Sequence, residues 1–312
     1  MVRPRYWLHA GLFLLTCMTT FQAGAAQFAS DRAGVEFSAT LLAILLTHEM
    51  GHYLMARKHG IPASLPYFIP LPMSMGTLGA LIRMRAPMDR RDALIDVGAA
   101  GPLAGLAVAI PLLAWGLTQS PLIEPALVHP GEPAMIEGNS ILYIILKLLT
   151  KGMYLPSGGL DVQLGPMAMA AWVGLLVTFI NLMPIGQLDG GHVAFAYFGD
   201  RHEKGSRWLH RGLLLVGLVV LVMLAWEARA IGLRPGSSLA HGAMGAAPWF
   251  TWALLLLGMR RISGGQYHPP VGADPLTGSR RVLFWLMVAV FVLLFTPVPM
   301  REALAPPPGS VP

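Results

Sequence analysis

One cysteine, Cys17, is all the sequence has, and it falls inside the first apolar run. No intrachain disulfide can form and no cysteine-built metal site is available, so any metal would have to be held by His, Asp or Glu. Charge is equally scarce. Asp, Glu, Lys and Arg make up 12% of the 312 residues, against roughly a quarter in a soluble domain. Together with a mean hydropathy of +0.58, this deficit excludes an ordinary soluble globule. Several apolar stretches approach the roughly 20 residues needed to cross a bilayer, which excludes a single anchor carrying a soluble domain. Internal repeats and low-complexity tracts are missing. The formal charge of +6 does not form a basic face; it is broken into short clusters beside apolar segments, the pattern of bilayer orientation, which argues against nucleic acid as a partner.

What is present reads as a multi-pass, all-α membrane protein embedded in a lipid bilayer. Arg3 and Arg5 precede an apolar run from about Tyr6 to Ala25, taken as a retained first helix rather than a cleaved signal peptide. A second helix, over about 36 to 57, returns to Arg57 and Lys58, which mark the cytoplasmic side. From Gly60 to Asp92 the chain carries Pro62, Pro66, Pro70 and Pro72 and cannot be one spanning helix, so a re-entrant segment or β-hairpin is expected there. A third helix, about 93 to 118, leads to an external loop holding Glu124, Glu132 and Glu137. Residues 140–150 suit an interfacial helix. Another helix starts near Pro166 and runs inward toward Arg201, Lys204, Arg207 and Arg211. Helices over about 212 to 229, 245 to 259 and 282 to 297 follow, for seven spans with a Pro-rich external tail. The organisation divides into an N-terminal helix and loop (1–35), a core (36–198) and C-terminal helices with the tail (199–312).

Residues 48–52 read His-Glu-Met-Gly-His. On a helix, His48 and His52 at i and i+4 project from one face and can hold one metal ion. Glu49 then stands beside the ion without ligating it, placed to take a proton from a metal-bound water. Two histidines and a glutamate in the middle of an apolar helix carry a burial cost that packing alone does not repay. A catalytic zinc wants a third protein ligand and an open position. Asp189 is the candidate, because it is the only acidic residue between Asp161 and Asp200 and sits at the cytoplasmic end of an apolar helix; its plainer role is a cap before Gly190 and Gly191. His192 is either an auxiliary ligand or a packing residue. Two histidines and a carboxylate also suit iron.

Three separated motifs, His48-Glu-Met-Gly-His52, Gly101-Pro-Leu-Ala-Gly105 and Asn181-Leu-Met-Pro184 running into Leu188-Asp-Gly190, resemble in order and placement the site-2 protease family of intramembrane zinc metalloproteases. Pro66-Tyr-Phe-Ile-Pro70, Gly76-Thr-Leu-Gly-Ala80 and His268-Pro-Pro270 look like the branch found in bacteria and chloroplasts. The resemblance implies a three-helix catalytic core with a small re-entrant β-hairpin and about four further transmembrane helices. It also implies one Zn2+ per chain on His48, His52 and Asp189, and cleavage of membrane-embedded segments of a transmembrane protein substrate. It puts Asn181 near the active site as a donor to substrate or oxyanion, with a helix-end cap as the alternative. The soluble module that some members carry between core helices has no room in the 119–165 loop. Gly101 and Gly105 allow close helix approach, and Pro184 breaks its helix so that Asp189 can turn to the metal. Gly76, Thr77 and Gly79 are expected in a strand on which an unwound substrate pairs. Two other classes compete: a transporter or channel using the same buried cluster, and an inactive relative. The expected location is a prokaryotic inner membrane, active site toward the cytoplasm; oligomeric state and substrate identity are not legible.

Overall fold

The computed structural model describes residues 6–86, 88–124, 135–269, 271–272 and 275–303; Arg3, Arg5, Glu132, Pro270 and the Pro-rich tail lie outside them. Two long antiparallel helices begin the chain, α1 (Tyr6–Phe28) and α2 (Asp31–Lys58). Ser30 caps α2 by accepting from the Ala33 amide, Asp31 lies in its first turn, and Arg57 and Lys58 lie in its last, so both ends oppose the helix dipole correctly. The Thr20 and Ser38 hydroxyls, 2.6 Å apart, join the two helices through a buried hydrogen bond.

The proline-rich segment is a hairpin, as the sequence leads one to expect. Strands β1 (Tyr67–Pro70) and β2 (Thr77–Leu81) pair antiparallel, with Tyr67 opposite Leu81, Phe68 opposite Ala80, and an irregularity before Pro70. Pro62 and Pro66 fall on the approach to β1, Pro70 at its end and Pro72 in the turn, where a missing N–H interrupts little. His9 of α1 donates through Nδ1 to the Pro66 carbonyl at 3.0 Å and fixes the hairpin against the bundle.

Helix α3 (Arg91–Gln119) is the central element. It packs on α2, on α5 (Pro166–Asn181) and on α6 (Asp189–Phe198). Helices α7 (Arg201–Ala230) and α8 (Pro235–Ile262) form a pair of their own, and α9 (Gly278–Leu294) lies against α3, α5 and α6. Three of the described helices, α3, α7 and α8, are long and apolar enough to cross a membrane by length and composition. On α7, Leu215, Leu218, Val219, Val222 and Trp226 point outward with no protein cover, a face suited to lipid rather than water.

At the end of the bundle marked by Lys58 and Arg91, α9 is tied to α3 by charge. The Arg280 guanidinium donates from Nε to Asp96 Oδ1 at 3.0 Å and from Nη2 to Oδ2 at 2.7 Å, and Asp96 also meets His59 Nε2 at 2.9 Å. The opposite end is capped by short pieces: α4 (Ile141–Lys151), β3 (Leu122–Ile123) paired with β5 (Asp161–Val162), and β4 (Met135–Glu137) paired with β6 (Met300–Glu302).

The described residues of the stretch expected to be an external loop are less open than the sequence implies. Glu137 is buried rather than solvated, and so is Lys147 of the short helix. Lys147 Nζ lies 2.6 Å from Asp161 Oδ1 and 3.8 Å from Glu137 Oε1, and the Tyr143 hydroxyl donates to that same Glu137 oxygen at 2.8 Å. A lone buried ammonium would be costly, but two carboxylates and an aromatic face satisfy this one. Replacing one partner strands the others. Lys147→Met is therefore expected to destabilise the chain by about 3–5 kcal/mol, read as a fall in the midpoint of unfolding in detergent; an unchanged midpoint would show that the cluster contributes nothing.

Candidate metal centre

His48 and His52 occupy successive turns of α2, so their rings share one face, and that face is turned toward α3 and α6. Their Nε2 atoms are 3.1 Å apart. The Asp189 carboxylate reaches between them, with Oδ2 3.2 Å from His48 Nε2 and Oδ1 3.2 Å from His52 Nε2. Within the described residues this is the group of three or more His, Cys, Asp or Glu side chains able to share an ion, with ligand atoms inside 4.8 Å of one another.

The hydrogen bond on the far side of His52 decides what those atoms can do. Its Nδ1 is 2.8 Å from the Val97 carbonyl of α3. A carbonyl only accepts, so Nδ1 carries the proton and the neutral ring turns the lone pair of Nε2 inward. Asp189 Oδ2 is buried and has no hydrogen-bond partner. The His52 Nε2 and Asp189 Oδ1 acceptors, 3.2 Å apart, repel unless a cation or proton lies between them, and the spacing of all three groups is that of ligands sharing one ion. The donor set of two imidazoles and a carboxylate thus fits a divalent metal.

The glycines of Gly101-Pro-Leu-Ala-Gly105 explain how α3 comes so close. A Cβ at Gly101 would overlap the His52 ring, and one at Gly105 would stand 3.2 Å from His48 Cβ. The motif is thus the contact surface for the histidine pair. Asp189 needs its own device. Helix α5 stops at Asn181, Pro184 lies in the intervening turn, and α6 restarts at Asp189 with its carboxylate in the first helical turn. A side chain at Gly190 would run into the Leu182 carbonyl, so the glycine after the aspartate lets the new helix fold back on the turn.

These groups line one cavity of about 210 Å³, into which Glu49, Asn181 and His192 also face. Glu49 is buried, on the helix of the histidines but outside the ligand triplet. Asn181 Nδ2 is 3.4 Å from His48 Nε2, at the rim of the centre. Of the hairpin, Ala80, Leu81, Ile82 and Met84 reach the cavity. Gly76, Thr77 and Gly79 stand earlier along it: Gly76 packs on the Thr19–Thr20 backbone of α1, and the Thr77 hydroxyl donates to Ile69 within the hairpin. His192 is bonded to His268, Nδ1 to Nε2 at 2.7 Å, and the His268 ring stacks on Phe195 at 4.2 Å. His268 and the Val97 carbonyl are therefore parts of the surroundings that the sequence left unassigned. The first carried a signal in its His-Pro dipeptide; a backbone carbonyl carries none.

Since a Cβ at Gly101 must displace His52, Gly101→Ala is expected to weaken metal binding by roughly 10–100-fold, the scale on which a ligand losing its support affects affinity. Gly105→Ala, which asks His48 to yield only slightly, should cost less. Metal titration of the two purified variants checks this, and native affinity in Gly101→Ala would refute the packing argument.

Comparison with known proteins agrees with the geometry. The profile of peptidase family M50 matches residues 36–224. The chain is 31% identical over 223 residues to "Probable zinc metalloprotease EGY1, chloroplastic" of Arabidopsis thaliana, covering 72% of this chain and 36% of that protein. It is 36% identical over 187 residues to "Probable zinc metalloprotease EGY2, chloroplastic" of Oryza sativa subsp. indica, covering 58% and 32%. The chain thus spans about a third of the length of these relatives. No solved structure matches it. The matched span runs from the start of the histidine helix, through the α3 glycines and Asp189, into α7, and on that ground the chain belongs to peptidase family M50, the site-2 protease family.

Proposed function

We propose that this chain is an intramembrane zinc metalloprotease that hydrolyses peptide bonds in or near the membrane-spanning segments of other proteins. The observation that carries the reading is the convergence of His48, His52 and Asp189 on one point with a further carboxylate, Glu49, in the same cavity. His48, His52 and Asp189 hold the zinc. When bound, zinc acidifies water and polarises a carbonyl oxygen. Glu49, left over from ligation, takes the proton of the attacking water as it adds to the peptide carbonyl, and returns that proton to the departing amine. Asn181 offers its amide N–H groups to the oxygen that gains charge.

The membrane reading rests on the distribution of charge and apolar surface. Helices α1, α2, α3, α5, α7, α8 and α9 are the proposed spans, and the basic residues Arg57, Lys58, Arg90, Arg91, Arg260 and Arg261 gather at one end of the bundle, the cytoplasmic side. His52 precedes Lys58 by six residues, about 9 Å of helix rise, so the metal lies within the hydrocarbon but near that side. The bilayer tolerates the broken backbone of residues 182–188 because most of it is buried in protein, while the hairpin pairs its own backbone and stays exposed at Met73, Leu78 and Leu81.

A peptide bond inside a helix is shielded from attack, so a substrate helix has to unwind. Among the described residues strand β2 is paired only with β1, and the stretch from Ala80 to Ile82 borders the metal cavity. An extended substrate adding along that edge would bring its carbonyls beside the metal with its backbone groups satisfied. Gly76, Thr77 and Gly79 shape the hairpin that presents this edge.

Glu49→Gln is expected to keep its metal while cleavage of a transmembrane peptide falls by about 10²–10⁴-fold; Asn181→Ala in the same assay should lower kcat with KM little changed. Retention of native turnover by Glu49→Gln would sink the reading. Ile82→Pro, which removes a backbone donor beside the cavity, should cut cleavage about tenfold or more with metal content unaltered, whereas an unaffected rate would dispose of strand addition.

A further inference from the structure

The end of the bundle away from the metal holds a second polar chamber, of about 540 Å³, between α8, the end of α7 and the paired strands β4 and β6. Most of its charged groups are accounted for. Asp161 and Glu137 share Lys147, and Glu227 stands 3.6 Å from Arg301. Glu302 of β6 has no Lys or Arg partner among the described residues; its neighbour is His241 of α8, with Oε2 3.9 Å from Nδ1.

His241 is the unusual member. It is 4% exposed, lines the chamber, and among the described residues neither ring nitrogen has a hydrogen-bond partner. Asn139 lines the same chamber, and its side-chain oxygen is buried and without a hydrogen-bond partner among the described residues. A buried imidazole left unpaired is expensive, and sequence alone gives no reason to keep a histidine in this part of an apolar helix pair. A distance of 3.9 Å is too long for a hydrogen bond between His241 and Glu302. It is within reach of two ligands on a common ion, since two bonds of about 2.0–2.2 Å span up to roughly 4.2 Å.

We propose that this chamber is a second metal site, binding a divalent transition-metal cation such as Zn2+ through His241 and Glu302, with the Asn139 side-chain oxygen as a further ligand. The imidazole of His241 favours a borderline divalent transition-metal ion over Ca2+, which takes oxygen ligands. The ion ties α8 to β6 and, through the pairing of Ile136 with Arg301, to β4. It is therefore a clasp on the cap, on the order of 30 Å from the first centre, given the length of α3 at about 1.5 Å per residue.

The test uses the full chain in detergent with the first centre removed, as His48→Ala/His52→Ala, and zinc alone as the probe. After dialysis against micromolar zinc, elemental analysis should find about one equivalent per chain and thermal unfolding should shift upward by several degrees, as for any ligand held by the folded form alone. Adding His241→Gln or Glu302→Gln should abolish both effects. Zinc content no higher in the background chain than in those variants overturns the proposal, as does one equivalent that survives both substitutions. The shift in the background chain needs no ligand variant, so its absence overturns the proposal even if His241→Gln misfolds. Uptake of an arginine- or lysine-rich peptide with no uptake of zinc would reassign the chamber to substrate contact and likewise refute it. Because the catalytic histidines are already gone, the result is independent of the proteolytic reading.

Discussion

The hydrogen bond between His52 Nδ1 and the Val97 carbonyl, 2.8 Å long, is the contact on which the centre depends. It fixes the tautomer of one imidazole, and with it the inward lone pair that makes a cation the natural occupant of the space between His48, His52 and Asp189. For the bond to exist, a backbone carbonyl of α3 must come within reach of a side chain on α2. That closeness is possible because α3 offers glycine where the rings lie. The metal ligands and the helix contact are thus one problem, solved by His48 and His52 on one helix and by Gly101 and Gly105 on the other. In a bilayer the hydrophobic effect does not drive helices together, so close van der Waals approach and buried hydrogen bonds have to do so. The sequence satisfies both requirements along a single seam.

How much of this the sequence makes legible follows from which features have a period or a spacing. The i, i+4 separation of His48 and His52 survives translation into structure because α2 is regular, and Asp189 stands out because acidic residues are so few around it. The hairpin is legible from Pro62, Pro66 and Pro70, which forbid a helix. What the spacing cannot carry is register. Gly76, Thr77 and Gly79 are recognisable as turn and strand residues, yet the bulge after Phe68 decides that Ala80 to Ile82, a few residues on, border the cavity. Likewise the break at Pro184 is visible, but the exact restart at Asp189 depends on Gly190 clearing the Leu182 carbonyl, a contact between positions eight apart with no pattern to announce it. Lys147 is the clearest case of burial overriding composition. Its residue type reads as a snorkelling surface charge, and only the fold brings Asp161 and Glu137 around it.

Helix α3 also connects the centre to the C-terminal part of the chain. Asp96, which receives the Arg280 guanidinium of α9 and faces His59 at the end of α2, immediately precedes Val97, whose carbonyl holds His52. Displacing α9 from α3 therefore either breaks a bidentate ion pair or pulls on the turn of helix that orients a proposed ligand. A bidentate arginine–carboxylate contact is directional as well as strong, so the position of α9 is specified to within a hydrogen bond at the inner end. Toward the other end, Phe291 and Phe295 pack on Phe179 of α5, and the chain just beyond is held by the Trp249 Nε1 donation to the Pro297 carbonyl at 2.8 Å and by the pairing of β6 with β4. Helix α9 is thus fixed at both ends, by a charged fork beside the metal and by aromatic packing and strand pairing at the cap. For the centre the charged end matters most, because the residue after Asp96 supplies the carbonyl that holds His52.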